Sequence, residues 1–492
     1  MTDLRLRGTI RPGGPDWVYL PVEVPAGVAE LAVRYRYDRP ATPPGVPGNA
    51  LDIGAFDERG AGGSGGPPGW SPGGSGGSGG PPGWSPGEPG SAGFRGWSGG
   101  ARDAFTIGPS GATPGYLPGP VNQGTWQVVL GPYTVAPQGL DWEVEVRLRR
   151  GPPGPAFVPD PAPEQAAGRG RAWYRGDLHT HTVHSDGRRT PAELAADARA
   201  AGLDFLASTE HNTSSASLGW GAHAGPGLLV IDGREVTTRD GHWLALGPRP
   251  GAVLDWRYRA ADGQFDRVLA DLHGQGGLAV AAHPFSPCLG CGWRFGDRGL
   301  DAVEVWNGPW TADDEAALGR WDRLLAASAR TGRFLPAVGG SDAHAPEDRV
   351  GLPQNVVLAD GLERGLVLQA LAAGRCWLAA SAAVDLDLEA TAAGRPAGIG
   401  GRLEALPDRE VTVRLRVRGA AGCLARLCTD AGRVLEAPID GDAVVEWTTT
   451  AAASAWVRAE VRRPRASGPG DMVALTNPVL LGPPGLSGRP PA

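Results

Sequence analysis

The sequence predicts a multidomain protein in which an α/β domain lies between two all-β domains. Residues 171–380 alternate short β-like runs with helix-like stretches, a pattern typical of an α/β barrel or sheet. Residues 1–150 and 383–482 instead contain short, alternating apolar runs bounded by Gly and Pro, as in β-sandwiches. The length of 492 residues fits three domains at roughly 150 residues each.

The N-terminal domain, residues 1–150, is expected to be a β-sandwich with one long insertion. Runs such as Trp126-Gln-Val-Val-Leu and Trp142-Glu-Val-Glu-Val supply its strands. The insertion, about residues 60–92, contains the ten-residue unit SGGPPGWSPG twice. Its Gly, Pro and Ser content predicts disorder, because such a tract buries too little apolar surface to offset its ordering entropy. Residues 151–170 are Pro-rich and predict a linker.

Helix signals separate the central domain from its neighbours. Thr190 offers a hydroxyl N-cap, Pro191 the first helical position and Glu193 the third, which together predict a helix start. A second helix is predicted over residues 313–330. From about residue 383 the helical pattern stops, and strictly alternating runs predict a C-terminal β-sandwich over 383–482, followed by a loose tail, 483–492.

Composition excludes several classes of protein. The net charge of -7 argues against nucleic-acid binding, because no basic stripe is present to neutralise phosphates. Neither a signal peptide nor an apolar run of membrane-spanning length is found, and the five Cys form no dense framework, so a cytoplasmic protein is expected. Cys288 and Cys291 are expected to be two reduced thiols, although a redox pair is an alternative; a structural zinc site usually needs four such ligands.

The histidines carry the strongest functional signal. All nine lie between residues 179 and 344, and most of them follow an apolar β-like run. In a parallel barrel the C-terminal ends of all strands open on one face, so polar residues at these ends converge although they are far apart in sequence. The residues placed in this way are His179, His181, His211, Glu235, His283, Asp342 and His344.

These residue types suit divalent cations. Imidazole and carboxylate together accept Zn, Mn or Fe. His179 and His181, like Asp342 and His344, are two residues apart, so the members of each pair point to the same side of an extended chain. Neighbouring cations repel each other, and Glu235 is the candidate carboxylate that would bridge them.

Four ordered motifs resemble those of the polymerase-and-histidinol-phosphatase (PHP) superfamily. The string from Gly176 to Gly187, GDLHTHTVHSDG, resembles its first motif. Thr209-Glu210-His211 resembles the second, in which Asp is usual at the middle position, and Gly233-Arg-Glu235 the third. Gly340-Ser-Asp342-Ala-His344 resembles the fourth. The strings EVTT, EVWNG and ALTNP make the chain similar to the carbaryl-hydrolase-like (CehA/McbA-like) branch.

The resemblance implies a distorted (β/α)7 PHP barrel that is flanked by the two sandwiches and holds two or three divalent metal ions. The first ion would be bound by His179, His181, Glu235 and Asp342. The second would be bound by Glu235, His242 and His283, and the third by Asp186, His211 and His344. Asp186 stands where many relatives have His. The residues expected to be catalytic are His179, His181, Glu235, Asp342 and His344.

The implied activity is hydrolysis of a small-molecule ester by metal-bound hydroxide, with phosphoesters as the first candidate class. A carboxyl or carbamate ester at the same site is the alternative, and a non-catalytic binding or sensory module is another. No nucleic acid and no membrane is expected as a partner. Asp177, Glu210 and Glu304 are either partners of the ligands or ordinary strand-end residues. Asn212, Arg294, Asn307 and the nearby Trp residues are candidate substrate contacts, although no motif fixes their roles.

Overall fold

The computed structural model describes residues 2–61, 93–152, 154–331, 334–466 and 468–483. The predicted Gly/Pro/Ser insertion and nearly all of the predicted C-terminal tail lie outside these residues. The described chain is mostly β, and its five α-helices all lie in the central region. None of these helices is both long and apolar enough to cross a membrane.

The N-terminal region consists of two antiparallel four-stranded sheets packed face to face. Their inward side chains, among them Val33, Leu51, Val128 and Val146, form one buried core. The strands are β1 (Thr2–Ile10), β2 (Val18–Val24), β3 (Val28–Tyr37), β4 (Ala50–Phe56), β5 (Phe94–Gly99), β6 (Ala104–Ile107), β7 (Gly124–Thr134) and β8 (Leu140–Arg150). The sheet orders are β1-β8-β3-β6 and β2-β7-β4-β5.

The central region alternates strands with helices. Its strands are β9 (Ala172–Asp177), β10 (Phe205–Ser208), β11 (Leu229–Thr238), β12 (Gly241–Leu246), β13 (Leu278–Ala281), β14 (Ala302–Asn307), β15 (Ala337–Gly340), β16 (Gln354–Ala359) and β17 (Cys376–Ala379). Its helices are α1 (Pro191–Ala200), α2 (Gly221–Ala224), α3 (Phe265–His273), α4 (Ala312–Thr331) and α5 (Arg364–Ala372), with short 3₁₀ turns at Ala216–Leu218 and Ala260–Asp262.

The central strands form a mixed sheet in the order β15-β14-β13-β12-β11-β10-β9-β16-β17. The pairs β9–β10, β10–β11, β13–β14 and β14–β15 are parallel, whereas β12 pairs antiparallel with both β11 and β13. A tight turn rather than a helix therefore joins β11 to β12. This ladder does not confirm the expected (β/α)7 barrel, because it contains a hairpin and β15 forms no ladder with β9.

The sheet nevertheless curls until β15 approaches β9. Thr180, just after β9, forms an isolated parallel bridge with Ala343, just after β15. The Asn355 side chain also links β16 to β15, since its Oδ1 accepts from the Gly339 N–H at 3.0 Å and its Nδ2 donates to the Gly339 carbonyl at 2.6 Å. The ends of β9 and β15 that carry polar residues consequently meet.

The C-terminal region is a second pair of sheets whose strands are β18 (Asp385–Ala392), β19 (Arg395–Gly398), β20 (Arg402–Leu403), β21 (Glu410–Arg418), β22 (Cys423–Thr429), β23 (Gly432–Ile439), β24 (Ala443–Thr450), β25 (Trp456–Arg463), β26 (Asp471–Thr476) and β27 (Val479–Leu481). One sheet has the order β19-β18-β21-β24. The other continues the central sheet, because β17 pairs antiparallel with β26. One sheet thus crosses the predicted domain boundary.

Asn477 fixes this junction. Its buried side chain accepts from the Ala337 N–H at 2.8 Å and donates to the Ala337 and Cys376 carbonyls at 2.9 and 3.0 Å. These bonds join the first residues of β15 and β17 to the turn between β26 and β27 and satisfy buried backbone groups there. The ALTNP string noted in the sequence therefore has a structural role.

The predicted start of α1 is confirmed, and it allows a stability test. The Thr190 hydroxyl accepts from the Glu193 N–H at 3.3 Å, while the Glu193 carboxylate accepts from the Thr190 N–H at 2.8 Å. Thr190→Ala removes half of this reciprocal pair and is expected to lower the free energy of unfolding by about 1 kcal/mol. Thr190→Ser keeps the hydroxyl and serves as the control in urea unfolding. Equal stability of the two variants would contradict the assignment of the cap.

Candidate metal centre

Strand ends bring the predicted ligands together at one end of the central sheet. His179 and His181 follow β9, His211 follows β10, and His283 follows β13. Asp342 and His344 follow β15. Glu235 and His242 lie within strands, on β11 and β12, and the tight turn between these strands places them on one hairpin.

Glu235 lies at the centre of the cluster. Its Oε2 is 3.1 Å from His179 Nε2, 3.3 Å from His181 Nε2 and 3.1 Å from His211 Nδ1. Its Oε1 is 2.8 Å from His242 Nδ1 and 3.0 Å from His283 Nε2. The side chain is only 1% exposed. Five imidazoles therefore lie around one carboxylate that is buried from solvent.

Asp342 completes a first group of ligands on one side of Glu235. Its Oδ1 lies 3.3 Å from His179 Nε2 and 3.0 Å from His181 Nε2. One ligand atom from each of these three residues and Glu235 lies within 4.8 Å of all the others. This group has the same members as the first predicted ligand set.

Asp186 belongs to a second group, nearer to solvent. Its Oδ1 is 3.4 Å from His211 Nε2 and 3.3 Å from His344 Nε2, and its side chain is 45% exposed. His181 also belongs to this group and therefore links it to the first.

The third group contains a residue that the sequence did not indicate. His242 and His283, which approach Glu235, are joined by Cys291, whose Sγ is 3.9 Å from His242 Nε2. The expectation of reduced thiols is wrong in this structure, because Cys291 forms a disulfide with Cys288. Their Cα atoms are 5.4 Å apart, which is within the normal reach of a disulfide.

Three residues of the centre have a positive φ, a backbone conformation that residues other than Gly rarely adopt. His283 has φ 25°, Asp342 has φ 50° and the neighbouring Asn212 has φ 54°. The Asp342 N–H donates to the His179 carbonyl at 2.8 Å, which holds the strained residue against β9. A Cβ at Gly340 would lie 2.2 Å from the His179 Cβ, so this close approach requires Gly.

Outer partners fix the rings that point into the cluster. Glu304 Oε1 lies 3.1 Å from His179 Nδ1, and Glu304 Oε2 accepts from the His283 N–H at 2.8 Å. His344 Nδ1 donates to the Asp342 carbonyl at 2.7 Å, which leaves Nε2 free toward Asp186. Such outer partners set the tautomer of a ligating imidazole.

The other two acids predicted as partners of the ligands hold the loops that carry them. Asp177 accepts from the Ser341 N–H at 2.9 Å and the Gly351 N–H at 2.8 Å. Glu210 accepts from the Thr182 and Ser185 hydroxyls, both at 2.6 Å. Both acids lie behind the ligand loops.

The electrostatics show how strongly these groups interact without cations. Burial alone raises the pKa of the Glu235 carboxyl, but the surrounding imidazoles, above all His211 and His179, outweigh it and hold the pKa well below its usual range. Burial alone lowers the pKa of His181, yet Asp342 and Glu235 raise it to about 10. Glu235 and His181 thus favour opposite charges, whereas burial lowers the pKa of His211 to about 4 and favours its neutral form.

The donor set fits divalent cations. His181 Nε2, His283 Nδ1 and Asp342 Oδ1 are buried and have no hydrogen-bond partner among the described residues. His181 Nε2 and Asp342 Oδ1 are only 3.0 Å apart, but they are not aligned for a hydrogen bond. Close, buried and unaligned donors of this type are suited to share a cation.

A cavity of about 650 Å³ lies over the centre, between the central and N-terminal regions. Besides ligands, its walls include Trp17, Asp52, Trp97, Tyr133 and Trp256. Burial raises the pKa of Asp52 to about 7, while Arg239 opposes this shift. The N-terminal sandwich therefore supplies part of the cavity wall, which the sequence did not reveal.

The predicted substrate contacts have other partners. The Asn212 side chain accepts from the Thr237 N–H at 2.8 Å and donates to the Thr237 carbonyl at 3.1 Å. Asn307 donates to Glu304 Oε2 at 3.1 Å, and Arg294 is largely exposed, 3.8 Å from Asp240. Asn212 and Asn307 therefore support the ligand loops.

Comparisons with known proteins give distant likenesses. No family model matches the chain. An uncharacterized protein of Methanocaldococcus jannaschii is 29% identical over 146 residues, which are 27% of this chain and 81% of that protein. Among solved structures, the chain is similar to a two-domain protein of Bacteroides vulgatus that contains a predicted PHP-like metal-dependent phosphoesterase, at 16% identity and a TM-score of 0.36, over 66% of this chain and 100% of the other.

Two further structures match a smaller part of the chain. An amidohydrolase of Chromobacterium violaceum is 21% identical with a TM-score of 0.24, over 36% of this chain and 89% of its own. A protein of Bifidobacterium adolescentis, described as a candidate metal-dependent phosphoesterase, is 22% identical with a TM-score of 0.24, over 38% of this chain and 93% of its own.

Proposed function

We propose that this protein is a metal-dependent hydrolase of the PHP type that cleaves phosphoesters. The proposal rests on the buried Glu235 carboxylate, which lies within 3.3 Å of five imidazoles. A bound cation would take the place of the ring protons, because an imidazole coordinates a metal ion through the lone pair of its neutral form. Buried lone pairs from imidazole and carboxylate are the ligands that Zn, Mn and Fe accept.

Each ion has its own set of side chains in this proposal, and Glu235 contributes to two of them. The first ion would be held by His179, His181, Glu235 and Asp342. The second would be held by Glu235, His242 and His283, and the third by Asp186, His211 and His344. When bound, divalent cations act as Lewis acids and bring the pKa of water toward neutrality.

The chain itself supplies orientation and access. Glu304 holds the Nδ1 side of His179, which keeps Nε2 directed at Glu235 and Asp342. Asp186 lies at the exposed edge of the centre, where a substrate enters from the cavity. The rings of Trp17, Trp97, Tyr133 and Trp256 give that cavity an apolar wall, which suits the organic part of an ester.

A carboxyl or carbamate ester is a second candidate substrate class. Arg239 is the one guanidinium among the described residues that line the cavity, and it is already engaged with Asp16 and with the Tyr133 carbonyl. The charge of a phosphate would therefore have to be balanced by the cations alone, whereas a neutral ester imposes no such demand. The aromatic wall serves either class.

The test is a metal analysis followed by a substrate panel on the full chain. The protein is loaded with Mn²⁺ or Zn²⁺, the bound metal is measured by mass spectrometry, and kcat/KM is determined for an aryl phosphodiester, an aryl phosphomonoester, an aryl acetate and an aryl methylcarbamate. We expect bound divalent metal and the highest kcat/KM on a phosphoester. Protein stripped with a chelator is the control, and readdition of metal should restore turnover.

The possible outcomes separate the alternatives. Preference for the acetate or the carbamate would move the assignment to the second substrate class. Bound metal without turnover of any ester would favour a binding or sensory module. A protein that binds no divalent metal would refute the proposal as a whole.

A further inference from the structure

The disulfide between Cys288 and Cys291 lies against His242 and His283, which belong to the third group of side chains described above and to the ligand set proposed for the second metal ion. Cys291 is 2% exposed, whereas Cys288 is exposed to solvent at the cavity wall. The Tyr133 hydroxyl donates to the Leu289 carbonyl and so fastens the intervening loop to the N-terminal sandwich. One sulfur of the pair is therefore accessible, and the other is held inside the metal centre.

The buried sulfur is one of a set of donors that lie close together. Cys291 Sγ is 3.9 Å from His242 Nε2 and 4.0 Å from His242 Nδ1. One ligand atom from each of His242, His283 and Cys291 lies within 4.8 Å of the other two. His283, whose side chain is 9% exposed, has a buried Nδ1 without a hydrogen-bond partner among the described residues. Glu235 Oε1 is near both imidazoles, at 2.8 and 3.0 Å.

We propose that Cys291 becomes a ligand of the second metal ion when its disulfide with Cys288 is reduced, so that the thiol state of this pair controls coordination at the centre. This inference rests on the proposed metal-dependent function. In the oxidised state Glu235, His242 and His283 supply three protein ligands. In the reduced state the Cys291 thiolate supplies a fourth.

The chemistry of the switch is thiol–disulfide exchange with an external dithiol. A thiolate of the dithiol attacks the exposed Cys288 sulfur, the bond between the two cysteine sulfurs breaks, and Cys291 leaves as a thiolate. The second thiol of the reductant then displaces Cys288 and forms the reductant's own disulfide. Two electrons and two protons pass from the dithiol to the protein, and Cys291 releases its proton when it binds the cation.

Coordination number explains the expected consequence. Catalytic zinc sites keep three protein ligands and an open position, whereas structural sites close with four. A thiolate is also a softer ligand than a carboxylate and favours Zn²⁺ over Mn²⁺. Reduction should therefore tighten zinc binding at the second position and close it to substrate.

Cobalt provides a direct test, because a thiolate bound to Co²⁺ gives a charge-transfer absorption band in the near ultraviolet that imidazole and carboxylate do not give. The full chain is loaded with Co²⁺ in its oxidised form and after dithiol treatment followed by anaerobic desalting. We expect the band only after reduction. A competing chelator should remove Zn²⁺ from the reduced protein at least about tenfold less readily, since even an outer partner of a ligand changes metal affinity by about 10- to 100-fold.

Two single substitutions serve as matched controls. Cys288→Ser leaves Cys291 without a disulfide partner and should show the band without reduction, whereas Cys291→Ser should never show it. A band in reduced Cys291→Ser, or no band in reduced wild type that binds cobalt, would overturn the inference. If the protein binds metal and hydrolyses esters but shows no Cys291-dependent band after reduction, the inference about Cys291 is refuted and the proposed function stands. A Cys291-dependent band without any turnover would refute only the proposed hydrolase function.

Discussion

Replacing Glu235 by Gln is expected to lower turnover by about a thousandfold, at the upper end of the loss seen when one electrostatic group is removed from an active site. The amide has the same size but no charge, and it cannot bridge two cations with two anionic oxygens. Because the amide fills the same space, the fold should be kept. Because it lacks the charge, metal binding should be lost although every other predicted ligand remains. The same substitution tests whether the first and second ions depend on one shared carboxylate.

Metal content and thermal stability measure this effect separately from catalysis. Wild-type protein should gain thermal stability when Mn²⁺ or Zn²⁺ is added, because a ligand that binds only the folded state stabilises it. Glu235→Gln should show a much smaller gain and a lower metal content. Glu143→Gln is the control, since Glu143 is also largely buried but pairs with Arg7 and Arg36 in the N-terminal sandwich, outside the ligand cluster. Full metal content in Glu235→Gln would contradict the central role of this carboxylate.

Much of the candidate centre could be predicted because it follows strand ends. His179, His211, His283 and Asp342 each come just after a short apolar strand, so their convergence requires only that the strands share one sheet. His242 is different, since it begins a strand. It reaches Glu235 because the tight turn after Thr238 folds β12 back onto β11.

Cys291 and the cavity wall could not be predicted in this way. The proximity of Cys291 to His242 depends on the path of a loop, and no periodic pattern records that path. The rings of Trp17 and Trp97 reach the cavity only because the N-terminal sandwich packs against the central sheet. Alternation within a strand reports which face is buried, but it does not report which other domain covers that face.

The same limit applies to the C-terminal fold. The alternation in Trp456–Arg463 predicts a strand with a charged face, and the strand is present as β25. The charged face, however, is buried against α4, where Arg458 contacts Asp322 and Arg462 contacts Glu315. Glu460 lies between the two arginines, 2.7 Å from Arg458 Nη1 and 2.8 Å from Arg462 Nε.

A Glu460→Gln variant is therefore expected to be less stable by about 3 kcal/mol at pH 7, because it leaves two buried guanidinium groups with one carboxylate fewer. Burial alone raises the pKa of Glu460, but Arg458 and Arg462 outweigh it and lower the pKa from 4.5 to about 2. At about 1.4 kcal/mol for each pKa unit, this depression agrees with the expected loss of stability.

The pH dependence distinguishes this charge effect from a simple packing defect. A carboxyl whose pKa is lowered by folding contributes its full stabilisation above its unfolded pKa, and the contribution disappears as the pH falls through the folded value. The difference between wild type and Glu460→Gln in urea unfolding should thus be largest at neutral pH and shrink between pH 4.5 and about 2. Glu446→Gln breaks the exposed pair with Arg414 in the same region and should cost less than about 1 kcal/mol. A loss in Glu460→Gln that stays constant with pH would mean that shape, rather than charge, holds β25 against α4.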